Sequence, residues 1–237
     1  MALTYTTFGS TLVAMMGGSA ADADYQTILP SLIDYAEGRC YRELDLLSTV
    51  VRNTAGSSTA NARTFTLPVD GAGRFVVVNA INLRNGSGVR VAQLRPVSLE
   101  FLDASWPAET ATSVSAVPEY FAMVTDQTVV MAPAPGSALG VEVIGTVRPA
   151  ALSVSNTTTY LTTYLPDLFL AAAMIFAAGY QRNFGAQADD PKLAMSWEQQ
   201  FMTLLGSADK EEARKRFASV SWTSKRPEPL ATVAQRG

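Results

Sequence analysis

Histidine is missing from the 237-residue sequence, and cysteine occurs once. Without histidine the commonest general base and the commonest transition-metal ligand are both absent, so no Ser-His-Asp or Cys-His arrangement can be assembled. The lone Cys40 excludes an intrachain disulfide and, with no histidine beside it, a closed zinc site. Set in a helical apolar pattern, it reads as a small buried side chain. Charge is sparse as well. Asp, Glu, Lys and Arg make up 16% of residues, the net charge is -3 and the pI is near 5.1. That balance offers no clustered cationic face for a nucleic-acid backbone, and sequence-specific DNA binding is not expected. The longest apolar run, Leu168 to Ala178, falls far short of the roughly 20 residues that span a bilayer. Met1 to Gly18 lacks the basic start of a secretory signal, so export is not expected either.

Catalytic carboxylates are no better represented. Asp189-Asp190, Glu211-Glu212 and the looser set Asp103, Glu109 and Glu119 follow no defined spacing. Asp190 before Pro191 reads as a helix N-cap. Glu211 and Glu212, among Lys210, Arg214, Lys215 and Arg216, read as a solvated helix face with i,i+4 partners. The glycines of Gly71-Ala72-Gly73 and Gly86-Ser87-Gly88 lie between strand signals and open no helix, so they form turns rather than a phosphate cradle. The basic stretch Lys210 to Arg216, with Lys225 and Arg226, is diluted by Asp209, Glu211 and Glu212. No catalytic residue, metal site or cofactor is expected.

What the sequence does contain is 48% hydrophobic residues, enough for a sizeable core, in three successive patterns. Residues 1–22 mix Thr, Ser, Gly and Ala without a stable period and read as an arm that orders on a partner. Over 23–53, Leu29, Ile33, Ala36, Cys40, Leu44 and Leu47 recur at helical spacing, with Pro30 expected in or near the first turn. Thr54 to Ala60 reads as a loop opening a β-rich module over 54–150. Its strands are expected at Thr64–Leu67, Phe75–Leu83, Val89–Leu94, Tyr120–Thr125, Thr128–Met131 and Val141–Val147, mostly antiparallel, with turns at Asp70-Gly71 and Asn85-Gly86. Over 151–218 helix returns as a hairpin, Pro166–Tyr180 and Pro191–Leu205, in which Leu193, Trp197, Phe201, Leu204 and Leu205 face the alanine-rich first helix. A charged stretch, Asp209–Phe217, extends or follows it. Residues 219–237 form an extended tail. The expected class is α+β, a helical body with an inserted antiparallel β-rich module and extended terminal arms. Trp222 stands out as an aromatic in a polar tail, where it serves either as an anchor on a neighbouring subunit, with Lys225, Arg226 and Pro227 beside it, or folds back on its own domain.

The order of several blocks resembles one known family. These are Ile28-Leu29-Pro30-Ser31-Leu32-Ile33-Asp34-Tyr35-Ala36-Glu37 followed by Arg42-Glu43-Leu44, then Phe65-Thr66-Leu67-Pro68-Val69-Asp70, then Leu94-Arg95-Pro96-Val97-Ser98-Leu99-Glu100. Pro118-Glu119-Tyr120-Phe121-Ala122-Met123 and Met131-Ala132-Pro133-Ala134-Pro135 come next. Tyr160-Leu161-Thr162-Thr163-Tyr164-Leu165-Pro166-Asp167-Leu168-Phe169-Leu170 then leads into the alanine-rich helix, and Trp197 follows. Together they resemble the head-to-tail adaptor, or connector, proteins of short-tailed and related phages. The segment Ala111–Val117 and the extension past Phe217 depart from a compact version of that pattern.

The resemblance implies a structural, non-enzymatic virion protein at the neck, made in the host cytoplasm. It would form a homo-oligomeric ring, usually of twelve copies, docked under the portal and receiving the tail nozzle or tail tube protein. DNA would pass through the bore without sequence-specific binding, and no membrane is involved. Two other readings stay open. One is another tail or head-completion protein. The other is a carbohydrate-binding adhesion module with Trp106, Tyr120 and Phe121 as stacking aromatics and Asp103 or Glu119 as an acid.

Overall fold

The computed structural model describes residues 3–69, 73–111, 116–181 and 191–219. The fold is α+β, with six helices and a seven-stranded, mostly antiparallel sheet among these residues. Three helices form the centre of the helical part: α2 (Ala23–Glu43), α5 (Pro166–Gln181) and α6 (Pro191–Ser219). Leu168, Phe169, Ala171, Ala172, Ala173, Met174 and Ala177 of α5 are all buried. A helix that is apolar on nearly every side belongs in the middle, and α5 packs against both α2 and α6, its alanines permitting close approach.

The expectation of an N-terminal arm over 1–22 is corrected over part of its length. Tyr5–Met15 is a helix, α1, opened by a capping box in which Thr4 Oγ1 accepts from the Thr7 amide and Thr7 Oγ1 accepts from the Thr4 amide at 2.7 Å. Phe8 and Leu12 are fully buried, and the Phe8 ring stacks on Phe169 at 4.4 Å. Threonine at both ends of the box and only three large apolar residues on the inner face leave a weak periodic signal. Gly9 brings α1 close to α2: a Cβ there would lie 3.1 Å from Leu29 Cδ2, and the Tyr25 hydroxyl donates to the Gly9 carbonyl at 2.5 Å.

Helix α2 begins earlier than its apolar period suggests. Asp22 caps it by accepting from the Asp24 amide at 2.9 Å, which puts Pro30 inside the helix rather than in its first turn. Pro30 is exposed, so the carbonyl it leaves without a helical donor faces water. Leu29, Ile33, Ala36, Cys40 and Leu44 line the core as the spacing requires, whereas Leu47 is exposed in a short 3-10 turn, Leu47–Thr49.

The sheet runs in the order β1-β7-β3-β4-β5-β6-β2, its strands being β1 (Val50–Ser57), β2 (Thr64–Thr66), β3 (Phe75–Arg84), β4 (Arg90–Pro96), β5 (Tyr120–Met123), β6 (Thr128–Ala132) and β7 (Gly140–Val147). One cluster holds Phe65 and Leu67 from one end of this order together with Val141, Val143 and Val147 from near the other, so the sheet curls around its own core. Among the described strands only β4 and β5 pair in parallel, and helix α3 (Leu99–Ser105) lies in the crossover that such a pair demands. Helix α4 (Tyr160–Tyr164) leads into α5.

Strand β1 replaces most of the expected loop at Thr54–Ala60. Its pairing with β7 shifts register between Asn53 and Gly56, where the Asn53 side chain accepts from the Ala55 amide at 2.8 Å. Gly56 lets the strand lie close: a Cβ there would sit 3.2 Å from Val141 Cβ. Polar and small residues thus form a strand because a central neighbour, β7, takes its hydrogen bonds. The Asn85-Gly86 turn forms, with the Asn85 side chain accepting from the Ser87 and Val89 amides and Gly88 at φ +77°. Asp70-Gly71 lies outside the described residues. The stretch Asp209–Phe217 extends α6 without a break.

Candidate functional site

Two of the carboxylates singled out by sequence converge on one arginine. Asp103 and Glu109 both approach Arg63, at 3.3 and 3.8 Å, and the Arg63 side chain is buried. Glu119 is exposed at the start of β5. Asp189 and Asp190 lie outside the described residues, as does the proposed cap on Pro191. No group of three or more His, Cys, Asp or Glu residues able to hold a metal occurs among the described residues. Cys40 is fully buried, and burial pushes its thiol up to about 12, so it is not a nucleophile at neutral pH. The three aromatics of the adhesion reading separate. Trp106 and Tyr120 pack at 5.2 Å on the outer side of β5, while Phe121 is buried in the core on the other side.

The reading of Glu211 and Glu212 as one solvated face is corrected for Glu212. Its side chain is buried and is the hub of a joint between segments distant in sequence. It accepts from the Leu47 amide at 3.0 Å, the Tyr160 hydroxyl at 3.1 Å and Lys215 Nζ at 2.7 Å. Burial pushes this carboxyl up, but the Lys215 ammonium and the Leu47 amide outweigh it and hold the carboxyl below its usual range. Glu211 remains exposed and pairs with Lys215 at 2.8 Å. One turn further on, Arg216 reaches the Asp45 carboxylate and donates to the Asp45 carbonyl at 2.6 Å.

Next to this joint the helical part meets the sheet around a cavity of about 590 Å³. Arg42, Asp45, Val76, Val77, Arg148 and Arg216 contribute to its walls. Val76 and Val77 are more than half exposed although they sit in a β-strand. One turn before Tyr41, which also lines the cavity, Glu37 is buried and accepts from the Leu152 amide at 3.0 Å, tying the segment after β7 to the helix. Burial pushes Glu37 up to about 7, against the lowering effect of that amide.

A second charged centre lies on the open face of the sheet. Val141 and Val143 point into the core, so Glu142 between them points outward. Arg84 at 3.2 Å, Arg52 at 3.6 Å and Arg90 at 3.8 Å surround its carboxylate, and Asn82 donates to it at 2.8 Å. These residues come from four strands separated in sequence, and only the register of the sheet brings them together, so sequence reasoning missed them. Trp222, Lys225, Arg226 and Pro227 lie outside the described residues.

Among the described residues, charged and aromatic side chains thus gather on surfaces and at joints between elements. Residues 5–225 match the model of one family, described as SU10 adaptor protein. The chain belongs to that family, a family of phage adaptors, and is accordingly a structural component of a bacteriophage virion. A search of curated proteins finds no match. No helix among the described residues is long and apolar enough to cross a membrane.

Proposed function

We propose that this chain forms the ring that joins the portal of the phage head to the tail. Twelve copies dock under the portal, receive the tail nozzle or tail tube protein below, and let DNA pass through the bore. The observation that carries this reading is the family match over residues 5–225 of the 237-residue chain. The net charge of -3 is in keeping with it, because a channel through which DNA slides must not grip phosphates tightly. The role is structural and not enzymatic, and it needs no cofactor.

In this reading the helical part is the body of the ring, and the β-rich part meets the tail or the neighbouring subunit. The tail, 219–237, clamps a neighbour through Trp222, with Lys225, Arg226 and Pro227 beside it. Many modest contacts repeated around a closed ring then supply the strength, since closure multiplies weak interfaces.

The test is the mass of the purified chain by light scattering, alone and mixed with portal rings of the same phage. Addition of a ring's worth of copies to each portal is the expected result. A chain that ignores the portal overturns the reading in favour of another tail or head-completion role. Removal of 219–237 is expected to weaken incorporation while leaving the thermal melt of the free chain unchanged; full incorporation would refute the clamp.

A further inference from the structure

We propose that the open edge of strand β3 over Val76–Ala80, with the cavity beside it, receives residues Val220–Ser224 of the neighbouring copy as an added strand, Trp222 filling the cavity. The proposal rests on the ring and clamp reading and deepens it by naming the surface that the tail grips.

The edge is open because β4 stops short of it. Strand β7 pairs with β3 from Phe75 to Arg84, but β4 joins only from Ile81 to Arg84. Leu94 stands opposite Ile81, so the next ladder position would set Pro96 against Asn79, and proline has no amide to donate. The chain then turns away into α3. At the other end the Phe75 carbonyl accepts from Gln127 Nε2 at 3.1 Å. Between these points, from Val76 to Ala80, β3 has no strand partner on this side among the described residues. Four of the five residues are apolar and none is buried, Val76 being 62% and Val77 52% exposed. Proteins cover or blunt such an edge, and what fits a row of backbone donors and acceptors is another extended chain.

Val76, Val77 and Asn79 also form one wall of the 590 Å³ cavity, opposite residues that include Tyr41 and Arg42 of α2. A strand laid along the edge therefore turns every second side chain towards a space that takes a large aromatic. Main-chain pairing supplies affinity in such an addition, and the pocket supplies selectivity.

Val220-Ser221-Trp222-Thr223-Ser224 has the matching pattern. Apolar and polar residues alternate, with Val220 and Trp222 on one face, and Pro227 stops pairing soon after. The segment follows directly on α6, which runs one turn past Arg216, on the cavity wall, and ends at Ser219. No glycine, proline or asparagine lies between Ser219 and Ser224 to reverse the chain. An extended segment thus runs on from its own cavity towards the next copy's instead of doubling back. Each copy gives one tail and receives another, the head-to-tail arrangement that closes rings.

The experiment mixes two full-length variants, Asn79→Cys and Thr223→Cys, on portal rings with a short bis-maleimide. Cys40 is fully buried and does not compete. Linked dimers are expected on a denaturing gel at several times the yield from either variant alone. Val77→Asp, at an exposed position, is expected to reduce incorporation as far as removal of 219–237 does, with an unchanged thermal melt. Combining the two changes is expected to do no more than either. An unlinked mixture, or wild-type incorporation of Val77→Asp, would overturn the contact while leaving the ring reading intact. So would Asn79→Cys/Thr223→Cys chains that link internally without portal, which would put the tail on its own cavity, or Thr223→Cys chains that link to the portal. Wild-type chains that never gather on portals would overturn ring and contact together.

Discussion

Arg39 on α2 and Glu198 on α6 form a two-pronged ion pair, with Arg39 Nη1 donating to Glu198 Oε2 at 2.7 Å and Nη2 to the other carboxylate oxygen. The same guanidinium lies 4.3 Å over the Phe201 ring and donates through Nε to Glu43 at 3.0 Å. One side chain thus ties helices from opposite ends of the chain. Arg39→Met keeps the aliphatic volume and removes all three contacts. The expected cost is about 1–2 kcal/mol in urea unfolding, less than a fully buried pair would lose because Glu198 is partly exposed. Lys at the same position should recover only part of it, since an ammonium cannot make the two-pronged bond.

Glu37 sets a pH dependence whose sign follows from its burial. In the unfolded chain its carboxyl titrates near 4.5, whereas in the folded protein it is pushed up to about 7. Between those values the folded protein holds a proton that the unfolded chain has released. Stability therefore falls as pH rises through that window and levels off above it. Asp34 adds to the raised value, and Arg148 and the Leu152 amide oppose it. Glu37→Gln keeps an acceptor for Leu152 and removes the ionisation. Thermal melts from pH 4 to 8 should show the variant gaining on wild type with rising pH, by no more than about 3 kcal/mol. Parallel curves would show that Glu37 keeps an ordinary carboxyl in the fold.

The Glu212 joint gives a prediction of opposite character. Glu212→Ala leaves the Leu47 amide without its acceptor and removes a partner from both Tyr160 and Lys215. The expected loss is about 2–3 kcal/mol. Glu211→Ala, one residue earlier and exposed, is expected to cost less than about 0.5 kcal/mol. Equal losses for the two would return Glu212 to the solvated face that its neighbours in sequence suggest.

How far the sequence reached can be read from such contrasts. The strands over Phe75–Arg84 and Gly140–Val147 were legible because β-branched residues mark a pleated, half-buried surface, and α5 was legible from Pro166 and its unbroken apolar run. Strand β1 was not, because Asn53 to Ser57 has turn composition and is held in place by β7 across a long sequence separation. Glu212 was not, because its partners Leu47 and Tyr160 are remote in the chain. The arginine face was the least legible, since Arg52, Arg84 and Arg90 share no local motif with Glu142.

Gly145 shows how little room β7 has beside β3. A Cβ there would stand 2.2 Å from the Val77 carbonyl oxygen, inside the contact limit of any pair of atoms, and the backbone cannot yield without parting the two strands. Gly145→Ala is expected to cost at least about 2 kcal/mol and to expose the amides of both strands to hydrogen exchange. The same change at Gly38, where nothing lies within 4 Å, is expected to be neutral or stabilising, since alanine is the better helix former.

The N-terminal helix supplies the sharpest difference between an arm and a part of the core. An arm can be removed from the free chain at no cost, but Phe8 is fully buried against Phe169 and Leu12 beside it is fully buried too. The amides of Leu3 and Tyr5 add backbone hydrogen bonds of 2.8 Å to the carbonyls of Thr162 and Thr157, which lead into α5. Phe8→Ala should therefore lower stability by about 3–5 kcal/mol, from lost transfer energy and the cavity left behind. Phe8→Leu should cost roughly half as much, because part of the volume is kept. Deleting residues 1–18 should go further and leave the helical part with exposed apolar surface that binds a hydrophobic dye. A deletion variant that melts like wild type would make the segment an arm after all, ordered only by its partner and free to act as a switch in assembly.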